Sequence, residues 1–479
     1  MNSKQKSKVS SMIVAGLLLV LCGCKGLTNG VAGPGNGNGI QAVNHIIFMA
    51  QENRSFDTYF GKLPGVDGLP ANASNPSFDG TSMVPAFHLA TECTENLTPS
   101  WDESHLDWNL HNATSSTPTL DGFVFNAAKF AMDSGFTDTQ GLRAMGYYDG
   151  SDLNYYYSMA SNFATSDRWF SPAMDRTQVN RMYLFAATSQ GYAYPPGTTI
   201  SDNHALTAPT IFEALTKANI SWKVYFTDNT CSTGVTANDK RPRGGILEAT
   251  SSSATSNAGA CTYLTQFQTF SPPNTLPANV VPASQFLTDA QNGTLPSVAF
   301  IEGGYESGRD EHPDNNVQDG AAYVESLING LMFSQSWKDS VFILTYDEAG
   351  GLYDHVPPIT DPSIAVNPDG IAPIDLAPTD VCANDLNGPV CNFNVTGFRV
   401  PLLVVSPFTR KNYVSHTPTD YTAILKFIET RFGLQPLTRR DAAQMDMTEF
   451  FDFGNVPWAT PPNPPNQLSS HVCTPQTLQ

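Results

Sequence analysis

Five short apolar runs limit what this chain can fold into: "HIIFMA" (45–50), "SWKVYF" (221–226), "SVAFI" (297–301), "SVFILTY" (340–346) and "VPLLVVS" (400–406). Strands that are apolar along nearly their whole length, with little alternation, are those covered on both faces. Helix-like stretches separate them: "NRMYLFAATS" (180–189), "PTIFEALTKAN" (209–219), "DGAAYVESLINGLMFS" (319–334) and "TDYTAILKFIETRFG" (419–433). The last has Thr or Asp as its N-cap and stops at Gly433. Strands alternating with helices predict an α/β fold, with a mostly parallel sheet, helices on both faces and loop-rich insertions. One domain is expected over 41–455. A Ser-, Thr-, Asn- and Pro-rich excursion interrupts it at about 227–290, and a Pro-rich tail (456–479) is draped over its surface.

The runs end in polar clusters. In open α/β sheets, ligands bind beyond the carboxyl ends of the strands. By that rule the first run delivers Glu52 and Asn53, and "SVFILTY" delivers Asp347 and Glu348. "SVAFI" leads through "EGGYESGRDEHPD" to Asp310, Glu311 and His312, and "VPLLVVSPFTR" leads to Ser406 and Arg410. Any one of these could merely cap the next helix; four runs ending alike point to a site. Carboxylates and an amide are hard oxygen ligands suited to magnesium, calcium or manganese, and histidine would admit zinc or iron. The histidines near candidate ligands are His105, His111, His312 and His355. Arg54 would either brace the Glu52-Asn53 turn or pair with Asp57 or a carboxylate at the sheet edge. The aromatic groups at Trp101/Trp108, 155–157 and Trp169-Phe170 read as core rather than as a lipid-binding patch.

The N-terminus carries Lys4, Lys6 and Lys8, then an apolar segment at 12–24 and "Leu21-Cys22-Gly23-Cys24". Residues 1–23 read as a secretory signal peptide, too short to span a bilayer comfortably. The Cys24 context resembles a bacterial lipobox, which implies lipidation of Cys24 and a membrane anchor; ordinary cleavage and free secretion is the alternative. Residues 24–40, rich in Gly and Asn, form a flexible tether. Six cysteines remain, an even number that favours disulfides in an oxidising compartment. Cys231/Cys261, Cys382/Cys391 and Cys93/Cys473 are one of fifteen possible pairings. The net charge of −19 becomes more negative once the leader is removed, which disfavours nucleic acid as a partner.

"QENRSFDTYFG", "MGYYDGSDLNYYYSMASNFATSDRWF", "TQVNRMYLFAATSQG", "DEHPDN", "YDEAGGLYDHVPP" and "GFRVPLLVVSPF" resemble, in order, the blocks of one phosphoesterase family. It contains bacterial phospholipases C, plant non-specific phospholipases C and bacterial acid phosphatases, within the alkaline-phosphatase-like superfamily. The resemblance implies a Thr177 nucleophile in a cluster with Glu52, Asn53, Asp347, Glu348 and a divalent metal ion of unspecified identity. It also implies that His105, His312 and His355 contact phosphoryl oxygens or protonate the leaving group. The expected substrate is a phospholipid diester, with a small phosphomonoester as the alternative. An inactive surface-binding lipoprotein would instead lack a ligand or Thr177, and none is missing. A sulfatase is disfavoured because 175–181 holds no Cys. Two departures stand out: Val179 occupies a position where family members carry Pro, and the block around His105 leaves His111 as a rival.

Overall fold

Eight strands build the main sheet: β1 (His45–Gln51), β2 (Ala164–Ser166), β3 (Trp222–Phe226), β4 (Val280–Pro282), β5 (Val298–Glu302), β6 (Ser340–Tyr346), β7 (Leu403–Val405) and β8 (Tyr413–Ser415). They lie in the order β8-β2-β7-β6-β1-β5-β3-β4 in this computed structural model. The described residues are 39–193, 206–229, 260–270, 276–366 and 393–479. β6, β1, β5, β3 and β4 pair in parallel, β2 and β8 likewise, and β7 runs antiparallel to both β6 and β2. All five apolar runs are therefore strands of one sheet. The three short strands β2, β4 and β8 carry no comparable apolar run.

The register shows how both faces are covered. Phe48 stands beside Phe300 in β1 and β5, so both rings project from one face. Phe300 meets Phe185 of α1 (Thr177–Ala186), and Phe48 stacks on Phe212 of α2 (Ile211–Lys217). Phe342 and Tyr225 fall on the opposite face by the same register, and both touch Phe286 of α3 (Ser284–Asn292). α4 (Val317–Met332) packs beside α3, where Gly330 leaves room for Leu287. The fold is an α/β sandwich of the expected kind.

Local chemistry explains the helix ends. Thr210 and Glu213 form a reciprocal capping box at the start of α2, and Asn316 accepts from Gln318 and Asp319 at the start of α4. α5 (Ala423–Phe432) follows Thr422 and ends on Gly433 at φ 68°, a left-handed cap that glycine adopts freely.

Two expectations need adjusting. The stretch assigned to an excursion, about 227–290, includes β4 and α3, which belong to the sheet and its covering layer. Ser406 and Arg410 do not reach the site end of the sheet. β7 is antiparallel, so its carboxyl end points the other way, and Arg410 bonds to the backbone of Phe450 and Phe451. The leader 1–23, most of the tether 24–40, Cys231, Cys382 and Cys391 lie outside the described residues. Cys93 is bonded to Cys473, and Cys261 is also disulfide-bonded. The 155–157 tyrosines, Trp101, Trp108, Trp169 and Phe170 are in the interior, with only Tyr157 part-exposed.

Phe300 contacts rings from a neighbouring strand and a covering helix. Phe300→Ala is expected to lower the unfolding free energy by about 3–5 kcal/mol, read from the urea midpoint.

Candidate active site

Parallel pairing carries β1 and β6 to the same edge in register, Gln51 opposite Tyr346. The next residues, Glu52-Asn53 and Asp347-Glu348, therefore emerge side by side. Backbone bonds stitch the two exits together: Asp347 N–H donates to Gln51 O (3.0 Å) and Arg54 N–H to Glu348 O (3.0 Å). Asn53 takes a left-handed conformation, φ 57°, which a non-glycine residue holds only when its surroundings insist. They do so here, because Gly350 (φ 73°) packs under it. A Cβ on Gly350 would lie 2.6 Å from Asn53 O.

Thr177 reaches this edge as the first residue of α1. Asn180 holds the approach by donating to Ala173 O (3.2 Å) and Asp175 O (2.7 Å) and accepting from Ala173 N–H (3.1 Å). Arg181, one residue on, donates to Ala50 O (3.0 Å) and Glu52 Oε1 (2.8 Å), fastening the helix to β1. Val179 is fully buried with Trp101, Tyr183 and Phe393. The Val found in place of Pro thus gains apolar packing. Thr177 Oγ1 consequently lies 3.0 Å from Glu52 Oε2 and 3.5 Å from Asn53 Oδ1.

The carboxylate oxygens divide in a consistent way. Glu52 Oε1 receives Arg181 and the Tyr263 hydroxyl (3.3 Å), leaving Oε2 toward Thr177. Asp347 Oδ1 receives the N–H groups of Asn53 (3.1 Å) and Glu348 (2.8 Å), while Oδ2 makes no hydrogen bond among the described residues but lies 3.5 Å from Arg181 Nε. Glu348 Oε2 receives Gly350 N–H, and Oε1 is likewise without a partner. Buried carboxylate oxygens left without partners are costly unless a cation meets them. Burial pushes Asp347 and Glu348 well above the usual carboxylate range, and the neighbouring acids Glu52 and Asp347, respectively, add to the shift. Burial alone would raise Glu52 too, but Arg181 and His312 hold it down at about 2. The carboxylates of Glu52, Asp347 and Glu348, the Asn53 amide oxygen and Thr177 Oγ1 are hard oxygen donors of the type a divalent cation takes. Among the described residues, the acidic groups whose ligand atoms already lie within 4.8 Å of one another are Asp57/Asp354/His355 and His88/Asp149/Asp152.

Of the expected histidines, His312 joins this group. Its Nδ1 bonds Asp310 Oδ2 (2.6 Å), and its Nε2 lies 3.7 Å from Glu52 Oε2. Burial opposes its charge, but Asp310 and Glu52 raise its pKa to about 10. Glu311 turns away into a cage of the Tyr59, Tyr156 and Tyr346 hydroxyls (2.7, 2.5 and 2.7 Å). His105 bonds Trp101 O (2.7 Å) and leans on the Trp101 ring, and burial lowers its pKa to about 4; none of its described bonds reaches Thr177 or the carboxylates. His111 is exposed.

His355 belongs to a different cluster. It bonds Asp57 (2.7 Å) and Asp67 (3.3 Å), while Arg399 bonds Asp57 and Asp354 (both 2.9 Å). Asp57, Asp354 and His355 are close enough to share an ion, but the Arg399 guanidinium already supplies positive charge there. Arg54 does not pair with Asp57. It donates to Glu311 O (2.8 Å) and sits over the Tyr59 and Tyr148 rings, bracing the turn from behind.

Sequence reasoning missed Arg181, Tyr263 and Arg399 as parts of this region. Arg181 stands in the "VNR" block and could have been marked there. Arg399 precedes an antiparallel strand whose direction the sequence leaves open. Tyr263 lies in the excursion, where no pattern marks it.

A model of the Phosphoesterase family matches residues 43–435. The chain belongs to the phosphoesterase family. It is 28% identical over 462 residues to a non-hemolytic phospholipase C of Burkholderia pseudomallei, covering 89% of this chain and 61% of that one. It is 29% identical over 482 residues to phospholipase C B of Mycobacterium tuberculosis, covering 92% and 82%. This chain thus spans under two thirds of the Burkholderia relative's length. Among solved structures it is similar to an alkaline phosphatase superfamily protein from Vibrio parahaemolyticus, with TM-score 0.33, 12% identity, and coverage of 87% of this chain and 72% of that one.

Glu302, at the end of β5, accepts from Thr262 Oγ1 (2.7 Å) and Tyr263 N–H (3.0 Å), and so anchors the segment that carries Tyr263. Burial raises its pKa from 4.5 to about 7, against the pull of Arg181. The folded protein binds this proton more tightly than the unfolded chain does, so stability falls as pH rises from 4.5 to about 7. Glu302→Gln should flatten that fall and gain about 3 kcal/mol relative to the parent protein at pH 8, measured by thermal unfolding across pH.

Proposed function

We propose that this protein is an exported phospholipase C-type hydrolase that cleaves phospholipid diesters through a covalent phosphothreonine at Thr177. One observation carries the reading: the Thr177 hydroxyl stands at a helix N-terminus, 3.0 Å from Glu52 Oε2, at the strand end that also delivers the buried carboxylates of Asp347 and Glu348, each with one oxygen that accepts no hydrogen bond among the described residues. The phospholipase C names of the relatives favour a diester over a monoester.

Glu52, Asn53, Thr177, Asp347 and Glu348 would hold the metal ion. When bound, such an ion would lower the pKa of the threonine hydroxyl and neutralise charge on the phosphoryl group. The N-terminal N–H groups of α1 add a favourable field for an anion. Thr177 Oγ1 attacks phosphorus and releases its proton to solvent. The Oγ1–P bond forms as the bond from phosphorus to the diacylglycerol oxygen breaks, and His312 gives that oxygen a proton. Water then cleaves the threonine ester and returns the free hydroxyl with a phosphorylated head group. His105 and His355, which make no described contact with this cluster, would act only on parts of the substrate further from phosphorus. The protein would be exported and anchored to the membrane through lipidated Cys24.

Residues 25–479 should hydrolyse p-nitrophenyl-phosphorylcholine and phosphatidylcholine, lose activity to EDTA and regain it with added divalent ions. Thr177→Ala should lower kcat by roughly 10³-fold or more. Hydrolysis of p-nitrophenyl phosphate alone would replace the diesterase by an acid phosphatase, and full activity in Thr177→Ala would remove the nucleophile. In cells, Cys24→Ala should move the protein from the membrane to the soluble fraction.

A further inference from the structure

Residues 91–100 are buried along their whole length, yet they form no helix or strand. Such a strip must satisfy its backbone through other contacts. On one side it meets the C-terminal tail. Ala90 N–H donates to Leu478 O (3.0 Å), Glu92 N–H to Val472 O (2.8 Å) and Thr474 N–H to Thr91 Oγ1 (2.8 Å). Ser470 Oγ donates to Glu92 Oε1 (2.9 Å), and the Cys93–Cys473 bond, which joins positions 380 apart in sequence, locks the contact.

On its other side the same strip holds the His312 loop. Thr94 N–H donates to Pro313 O (2.6 Å), and Val317 N–H donates to Glu92 O (2.9 Å). The loop is tied internally as well: Asn315 N–H bonds His312 O (2.8 Å), and Asp310 Oδ1 accepts from both His312 N–H (3.2 Å) and Asn315 Nδ2 (2.7 Å). Ser470 N–H also reaches Gln318 Oε1 directly (2.6 Å). Cys93 thus sits between two residues whose backbones grip the segment beginning one residue after His312.

We propose that the C-terminal tail is a clasp, locked by the Cys93–Cys473 bond, that positions His312 for the reaction. The clasp rests on the reading that His312 protonates the leaving oxygen. It makes full activity depend on the oxidised cross-link, a state available in an exporting compartment. Cys93 and Cys473 are positioning residues, since neither touches substrate.

The test compares Cys93→Ser/Cys473→Ser, His312→Gln and the triple variant on two phosphorylcholine esters. Short-chain phosphatidylcholine releases an alkoxide that needs a proton, whereas the p-nitrophenyl ester releases a phenolate that does not. Opening the clasp should lower kcat on the lipid by about tenfold and on the nitrophenyl ester by less than about threefold, a partial loss of general-acid assistance. The triple variant should be no slower on the lipid than His312→Gln, because both changes disable one device. Equal losses on the two esters, or additive losses in the triple variant, would reduce the clasp to a plain stabiliser. An unchanged Cys93→Ser/Cys473→Ser beside a defective His312→Gln would sink the clasp alone. A His312→Gln variant with no selective loss on the lipid would sink the acid role and the clasp with it. If the double cysteine variant does not fold, Ser470→Ala loosens the tail while keeping the disulfide. It should show the same selectivity at about two- to threefold, and no selectivity there would overturn the proposal.

Discussion

Parallel in-register pairing of β1 with β6 is the constraint on which this molecule depends. With Gln51 opposite Tyr346, two dipeptides some 300 positions apart leave the sheet as neighbours. A slip of one residue would turn each of these side chains to the other face. The register is held by the unbroken burial of both strands, since any displaced residue would have to leave a filled core. The most hydrophobic part of the sequence therefore fixes the positions of its most polar cluster.

That cluster is electrostatically unfavourable on its own terms. Glu52, Asp347 and Glu348 are all buried; Arg181 and His312 face Glu52, and Arg181 also faces Asp347 at 3.5 Å. Each acid has one oxygen held by protein N–H or O–H donors; of the others, Glu52 Oε2 accepts from Thr177, Asp347 Oδ2 lies 3.5 Å from Arg181 Nε, and Glu348 Oε1 accepts no hydrogen bond among the described residues. Tying one oxygen fixes the carboxylate's orientation, so little reorganisation remains when an ion or a phosphoryl group arrives. Thr177 is held by the same device, because Arg181 bonds both the β1 backbone and Glu52. A shift of α1 would move the threonine and its carboxylate together.

The parts legible in the sequence are those written in contiguous residues. Five apolar runs predicted five strands, and Glu52, Asn53, Asp347 and Glu348 followed from the rule that sites form at strand ends. Thr177 came from resemblance, since nothing in "DRTQVNRMY" marks its threonine by composition. The rest depended on direction and on long-range contact. Ser406 and Arg410 failed because an apolar run does not reveal whether its strand is parallel; Arg399, before β7, instead joins the neighbouring cluster with Asp57 and Asp354. His105 and His355 sit in suggestive blocks, yet their ring nitrogens bond Trp101 O and Asp57. Sequence spacing cannot see which partner a ring will find. β4 escaped notice because a short edge strand with a proline at its end needs little hydrophobicity.

The remaining question is how so loop-rich a chain holds its irregular segments in place, and buried arginines provide much of the answer. Arg54, Arg143, Arg181, Arg399 and Arg440 are fully buried, and each donates to at least one backbone carbonyl of another segment. Arg143 binds Asn96 O and Ala127 O, Arg399 binds Asp67 O and Asp167 O, and Arg440 binds Pro172 O and Phe393 O. A guanidinium offers five donors in a rigid plane, so a single side chain can pin two or three irregular segments at once. Four of the five also face a carboxylate, Asp138, Glu52, Asp354 or Asp420, which offsets the penalty of burying the charge. Arg54 has tyrosine rings and a backbone carbonyl instead, and its electrostatic support comes from Glu311 behind them. In a protein of strongly acidic composition, these few cations are placed where connections must be rigid. The positive charge is used to hold loops still, and at the site Arg181 does both, fastening α1 to β1 while facing Glu52 and Asp347.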